Sequence, residues 1–185
     1  MPFQSEKPLF NVFSSGKQKA FNEIVLTYRD RVFNTTYRFM GEWQDANELT
    51  QETFIAVYRK LSNLRKGSAL SAEIYRIAIN LCKNKLSNLE TLNRPVSSDI
   101  KKTQGTRTRG APHKLLEKKE KEMAVQRALD SLPFDRKEVL ILKDIEGLSY
   151  QEVAAVLLCE VVAVKSSLKR ARNELKVRLD GAQDG

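Results

Sequence analysis

Apolar residues recur at Phe21, Ile24, Val25, Tyr28, Val32 and Phe33, the three-and-four spacing that lines one side of a helix. This predicts a helix from about Lys17 to Met40, interrupted by Gly41, Glu42 and Trp43. A second periodic stretch runs from about Asp45 to Leu61 and carries Leu49, Phe54, Val57 and Tyr58. After the basic, glycine-containing break LSNLRKGSAL, a third helix is predicted from Ser71 to about Leu89. Its apolar side is Ile74, Ile77, Ala78, Leu81, Cys82 and Leu86, while Glu73, Arg76, Asn80 and Lys83 form another side. That polar side is open to two readings, water or nucleic acid.

Between about Asn93 and Lys114 the helical period stops. The stretch RPVSSDIKKTQGTRTRGAPHK contains Pro, Gly, Ser and Thr and few large apolar residues, a linker by composition. Arg94, Lys101, Lys102, Arg107, Arg109 and Lys114 oppose only Asp99 there, which fits either a solvated spacer or contact with a nucleic acid or an acidic protein channel. Periodicity resumes with a charged helix from Leu116 to Leu129, then the break SLPFD, where Asp135 is placed to cap a helix carrying Val139, Leu140, Leu142 and Ile145. Gly147 ends that helix. Ser149, Tyr150, Gln151 and Glu152 form an S-x-x-E capping box that opens a short apolar helix through Leu157. A last helix from about Val161 puts Val164, Leu168, Ala171, Leu175 and Leu179 on one side and Lys165, Lys169, Arg172 and Lys176 on the adjoining one.

The pattern therefore predicts an all-α chain: two small helical domains joined by a flexible basic linker, the second containing a helix-turn-helix. The expected divisions are an N-terminal extension over 1–16, a first domain over 17–90, a linker and entry segment over 91–122, and a second domain over 123–182. The polar linker imposes little geometry, so the two domains are expected to move independently.

Charge narrows the function. Lys plus Arg number 32 against 23 Asp plus Glu, a net charge of +9 in 185 residues, which favours a polyanionic partner. The longest fully apolar run, Val153 to Cys159, is far short of a membrane span, and the N-terminus does not read as a secretory signal; a cytoplasmic protein is expected. Cys82 and Cys159 lie in apolar helical patterns without a CxxC or His/Cys cluster and are expected to be buried, reduced thiols. The single histidine, His113, has no second ligand candidate nearby. No nucleophile, metal or phosphate-loop constellation appears, so neither an enzyme nor a cofactor is implied.

Two features carry chemistry. The capped helix at Ser149 followed by a basic helix forms a helix-turn-helix pattern: the Lys and Arg stripe would neutralise phosphates, and side chains around Ala163 to Ser167 would face base edges. In DANELTQETF, Asp45, Glu48 and Glu52 stand at spacings of three and four on one helix side. Phosphates would be repelled by that side, which should look toward water or a basic protein partner.

The blocks AFNEIVLTYRDRVFNTTYRFMGEWQDANELTQETFIAVYRKL and IYRIAINLCKNKL resemble region 2 of bacterial RNA polymerase sigma factors of the extracytoplasmic-function group. ALDSLPFDRKEVLILKDIEGLSYQEVAAVLL and VKSSLKRARNEL resemble region 4. The resemblance implies a chain that binds core RNA polymerase and promoter DNA while catalysis stays with the polymerase, with an anti-sigma factor as a further possible partner. It implies that Asp45, Glu48, Gln51 and Glu52 face the polymerase clamp helices, with Leu49 and Phe54 anchoring their helix. It implies capture of flipped bases of the melted −10 element by positions matching Arg65, Lys66, Tyr75, Arg76, Asn80 and Lys83, chemistry suited to unpaired DNA. Region 4 would read the −35 element through Lys165, Ser166, Ser167, Lys169, Arg170 and Arg172. The linker, with Lys101, Lys102, Arg107 and Arg109, would thread toward the active-site and RNA-exit channels.

The chain departs from the family pattern in several places. Leu158 stands where the family usually has Gly, Val162 and Ala163 where it has Gly-Thr, Ser167 where it has Arg, and Glu73 where it has Trp. Leu158 must form the turn without glycine's freedom at positive φ, and the start of the recognition helix loses polar groups. Two alternatives stay open: a sigma-like interaction protein that docks on polymerase or an anti-sigma factor without specific promoter reading, and a plain helix-turn-helix transcription regulator.

Overall fold

The structure is a computed structural model that describes residues 16–61, 70–91 and 113–181. All regular structure among them is helical: α1 (Lys17–Met40), α2 (Trp43–Lys60), α3 (Leu70–Thr91), α4 (His113–Asp130), α5 (Phe134–Leu140) running into a π-helical turn (Ile141–Ile145), α6 (Tyr150–Leu157) and α7 (Val161–Gly181). Each matches a periodic stretch of the sequence to within a few residues, and the helix-turn-helix order of capped α6, turn and basic α7 is present.

The joint between α1 and α2 is made by a glycine and a carboxylate. Gly41 adopts φ +70 and its N–H donates to the Tyr37 carbonyl at 2.8 Å, which closes α1 as glycine does most readily. Glu42 then accepts from the Asp45 N–H at 3.0 Å and caps α2, so that Trp43, read from the sequence as part of the break, is instead the first residue of α2. Buried threonines fasten the two helices: Thr36 Oγ1 lies 3.0 Å from the Ala46 carbonyl and 3.1 Å from Thr50 Oγ1. Ile24, Tyr28 and Val32 of α1, Phe54 and Val57 of α2, and Leu70, Ile74, Ile77 and Ala78 of α3 fill the core of this first unit.

In the second unit Asp135 does not cap α5. Pro133 holds the cap position without a side-chain hydrogen bond, and Asp135 sits in the first turn, where it pairs with Arg136 at 2.6 Å, so the helix starts two residues earlier than the cap motif suggests. After Leu140 the ladder widens, with the Glu146 N–H donating to the Ile141 carbonyl at 2.8 Å, and Gly147 at φ +73 reverses the chain. The capping box is complete: Ser149 Oγ accepts from the Glu152 N–H at 3.2 Å and the Glu152 carboxylate accepts from the Ser149 N–H at 2.5 Å.

The two units do not stand apart. One apolar cluster takes in Phe39, Leu49, Tyr75, Ile79 and Cys82 from the first and Leu129, Leu132, Val139, Ile141, Leu148, Val153 and Leu168 from the second. Phe39 and Phe134 stack across the boundary with ring centroids 4.9 Å apart. Lys137 is buried beside them and donates to the Phe39 carbonyl at 3.0 Å and to Asp130 at 2.6 Å. In this structure the two units share a core. The reason is that α3 is apolar on more than one side: Ile74 and Ala78 face the first core while Tyr75, Ile79 and Cys82 face the second.

The cysteines separate. Cys82 is buried, and burial pushes its thiol up to about 12. Cys159 is exposed, against expectation, because it lies in the turn between α6 and α7 rather than inside a helix.

Leu158 is the one non-glycine residue at positive φ among the described residues, at φ 53, and its side chain is 74 % exposed. A left-handed residue with a Cβ costs about 1–2 kcal/mol, and an exposed side chain returns little in packing. Leu158→Gly is therefore expected to raise the unfolding free energy by about 0.5–1 kcal/mol after the larger unfolded-state entropy of glycine is subtracted. Urea titration followed by circular dichroism checks this; an unchanged or lowered midpoint would show that the turn is unstrained.

Candidate nucleic-acid interface

The acidic side of α2 is set by helical spacing and by what lies behind it. Leu49 and Phe54 are buried, while Glu48, Gln51 and Glu52 are exposed and Asp45 is half-buried. Sequence spacing does not reveal that Lys85 of α3 reaches this face. Its ammonium lies 2.7 Å from Asp45 and 2.6 Å from Glu48. Partial burial pulls the Lys85 ammonium down, but its bonds to the two carboxylates outweigh that and hold its pKa above the usual value. The outer part of the acidic face, Gln51 and Glu52, stays open to solvent.

The residues expected to hold the −10 strand are divided by the structure. Arg65, Lys66 and the linker residues Lys101, Lys102, Arg107 and Arg109 lie outside the described residues. Asn80 and Lys83 are exposed on α3, and Lys83 Nζ lies 5.7 Å from the centre of the Phe134 ring. Arg76 is half-buried and paired with Glu73, which also bonds Lys60 at 3.2 Å. Glu73 is only 9 % exposed, so the polar side of α3 does not face water along its whole length: its first turn is covered by a buried ion-paired carboxylate.

Tyr75 is fully buried. Its hydroxyl donates to Glu146 Oε2 at 2.9 Å, and Arg31 of α1 approaches the same carboxylate at 3.6 Å and donates to the Glu146 carbonyl at 3.2 Å. Burial and the neighbouring carboxylate push the phenol well above its ordinary range. Tyr75 is thus a boundary residue between the two units in this structure and is not available to a base. The π-helical turn sets Glu146 in that position, and nothing in local periodicity signals it.

Beside this joint a cleft of about 640 Å³ is lined by Arg31, Phe33, Tyr37, Arg38, Trp43 and Glu146, among others. Phe33 contacts both Tyr37 and Trp43, with centroids 6.1 and 6.2 Å apart. These aromatics were not among the expected site residues because their spacing reads equally as core.

On α7, Val164, Leu168 and Ala171 are buried against the second core. Lys165, Ser166, Lys169, Arg170 and Arg172 are exposed and Ser167 is half-buried, so the helix presents its expected cations outward. Two of them have neighbours: Lys165 Nζ lies 5.5 Å from the centre of the Tyr150 ring, and Arg172 makes a bidentate pair with Asp144 at 2.6 and 2.9 Å. The bond to Asp144 raises the Arg172 pKa. A phosphate at Arg172 has to compete with that carboxylate; at Lys169 and Arg170 the helix offers exposed charge.

Family comparison identifies this two-unit arrangement. The sigma-70 region 2 model matches residues 24–90 and the sigma-70 region 4 model residues 122–175. The chain is 33 % identical over 180 residues to the RNA polymerase sigma-H factor of Pseudomonas aeruginosa, covering 93 % of this chain and 92 % of that one. The chain belongs to the sigma-70 family of RNA polymerase sigma factors. It is also 34 % identical over 179 residues to the extracytoplasmic-function sigma-E factor of Escherichia coli K12, covering 92 % of each chain. Among solved structures, CnrH in complex with the cytosolic domain of CnrY matches with a TM-score of 0.68 at 24 % identity, over 94 % of this chain and 95 % of that one. The sigma factor RpoE of Bartonella quintana, solved with the anti-sigma factor NepR, matches with a TM-score of 0.68 at 23 % identity, over 88 % of this chain and 98 % of that one. These two share the fold. No helix among the described residues of this sigma factor is long and apolar enough to cross a membrane, and no cluster of metal-ligating side chains occurs among them.

Glu138 of α5 lies near the boundary between the two units of the sigma factor. Burial raises its pKa to about 7, with Lys83 of α3 opposing the rise and Asp135 adding to it. A carboxyl whose folded pKa lies above its unfolded value binds protons more tightly when folded, so stability falls as pH rises from about 4.5 toward 7. Glu138→Gln is expected to flatten the stability profile between pH 5 and 8 and to be the more stable form at pH 8. Thermal unfolding across that range checks it; parallel profiles for the two proteins would remove Glu138 as the titrating group.

Proposed function

We propose that this sigma factor docks on core RNA polymerase through the acidic edge of α2, holds the melted −10 strand against the exposed part of α3, and sets α7 on the −35 element. The chain selects the start site and opens the duplex by binding one strand; bond formation in RNA belongs to the polymerase. Its work is done in the cytoplasm, where that polymerase acts. Anti-sigma factors are a further class of partner, as in the solved complexes of its structural neighbours.

One observation carries the reading. In a chain of net charge +9, the negative side chains Asp45, Glu48 and Glu52 are gathered on one edge of α2, while Lys165, Lys169, Arg170 and Arg172 are gathered on the outward side of α7. A single polyanionic partner does not explain both. A basic protein surface at one end and phosphates at the other do, because each face repels the other's ligand.

On this reading α2 carries the protein contact and Asn80 and Lys83 the strand contact, with Arg76 joining them by giving up Glu73. Tyr75 reaches DNA only if the Glu146 carboxylate lets go of its hydroxyl, that is, if the second unit moves off α3. Leu49 and Phe54 act from behind, by fixing the angle at which α2 presents its carboxylates.

Gln51→Lys combined with Glu52→Lys changes only exposed positions and reverses the charge of the open half of the acidic face. The double variant is expected to lose at least tenfold in affinity for core polymerase, with an unchanged unfolding midpoint. Core binding is measured by titration of labelled sigma factor, and promoter-specific initiation is expected to fall in proportion. Wild-type affinity in a variant of unchanged stability would place the polymerase contact elsewhere.

A further inference from the structure

The turn and start of α7 carry a feature that phosphate binding does not use. Leu158 is 74 % exposed and Val162 73 % exposed, and Ala163 beside it is exposed as well. Isolated exposed aliphatic residues are ordinary on protein surfaces. These stand together at the leading end of a helix-turn-helix recognition helix, and beyond them the same outward side continues with Ser166, Lys169 and Arg170, all exposed. The buried side of the helix is Val164, Leu168 and Ala171, so Val162 and Ala163 are not simply core residues with a poor cover.

The cations decide what covers the patch. A recognition helix enters the major groove with its N-terminal residues on base edges, while the cations along the helix meet phosphates. In that groove the bases present hydrogen-bond donors and acceptors, and the one apolar group among them is the C5 methyl of thymine. Valine and alanine side chains pressed against a guanine or cytosine edge would leave its polar atoms without partners in a contact from which water is excluded, which costs free energy. Against a thymine methyl they lose nothing and bury apolar surface. Ser166, the nearest hydroxyl on that side, donates to the Ala163 carbonyl at 3.0 Å, which commits its proton to the helix and leaves its oxygen as an acceptor.

We infer that Val162 and Ala163 read the −35 element by contact with thymine C5 methyl groups, so that this sigma factor selects thymine at one or two adjacent major-groove positions and is selective there without side-chain hydrogen bonds. The inference rests on the proposed placement of α7 on the −35 element and adds the chemistry by which it discriminates.

The test uses the sigma factor bound to core polymerase. Transcription starts are mapped on fragmented genomic DNA, and duplexes carrying a promoter so found are made with thymine replaced by deoxyuridine, one −35 position at a time. Deoxyuridine keeps every hydrogen-bonding group and lacks only the methyl. The expected result is about a fourfold loss of affinity at one or two adjacent positions, the worth of one buried methyl-sized group, and no change at the others. In Val162→Ser the loss on deoxyuridine substitution is expected to shrink toward none, with the salt dependence of binding unchanged, since no phosphate contact is removed. Discrete starts together with equal affinity for thymine and deoxyuridine duplexes at every −35 position would overturn the methyl reading and leave the sigma-factor function standing; the patch would then face protein. Absence of discrete starts would overturn both.

Discussion

The arrangement of this protein depends on α3 being apolar around most of its circumference. A helix buried on one side alone would complete the first unit with α1 and α2 and leave the second to find its own core. Here Ile74 and Ala78 satisfy the first core while Tyr75, Ile79 and Cys82 remain to be covered, and α5, α6 and the start of the π-helical turn cover them. Each buried aliphatic side chain is worth about 1.5–3 kcal/mol relative to exposure, so the boundary between the units is an energetic feature of the chain rather than a passive juxtaposition. The polar groups that the boundary encloses are matched: Glu146 takes Tyr75 and Arg31, Lys137 takes Asp130 and the Phe39 carbonyl, and Gln126 exchanges bonds with Arg38 at 3.0 and 3.1 Å. No buried side-chain nitrogen or oxygen is left without a partner among the described residues.

That boundary has a functional cost. The side of α3 that faces the second unit is the side from which Tyr75 and Lys83 would meet a melted strand, and in this structure Tyr75 is spent on Glu146 and Lys83 sits over Phe134. The same helix also supplies Lys85, which lies on the acidic edge of α2. On the proposed placement, polymerase and DNA compete with contacts the chain already makes to itself. The contacts of these cations are polar and partly exposed, so basic side chains can replace Lys85 beside Asp45 and Glu48, and a base can replace Phe134 as the flat surface beside Lys83.

How far the sequence carries these conclusions depends on whether a feature is local. Helix positions, the Ser149 capping box, the left-handed turn at Leu158 and the outward row of cations on α7 all follow from residues within about one helical repeat of each other, and the structure has each of them. The failures are of two kinds. Asp135 resembles a cap but Pro133 starts the helix before it, a competition between two local signals that composition does not rank. Cys159 has apolar neighbours but lies in the turn between α6 and α7, and the surroundings of Tyr75 and Glu48 are set by contacts across the fold: Tyr75 with Glu146 is separated by 71 residues and Lys85 with Glu48 by 37. A π-helical turn shifts the phase of every residue after it, so the periodicity that locates Leu142 cannot say where Glu146 points.

The recognition helix illustrates the same division from the side of function. Its cations are legible because charge at helical spacing is a local pattern, but they locate phosphates and carry no sequence information. Discrimination among bases lies with the few residues at its leading end, and there this chain has aliphatic groups that cannot hydrogen-bond. Loss of polar contacts at a DNA-reading position is easily equated with loss of specificity. The major groove does not support that equation, since it offers an apolar mark at thymine alone. An aliphatic surface held at the front of a cationic helix is therefore a selective one, and the turn before it is held in a strained conformation by a leucine whose side chain fills no core.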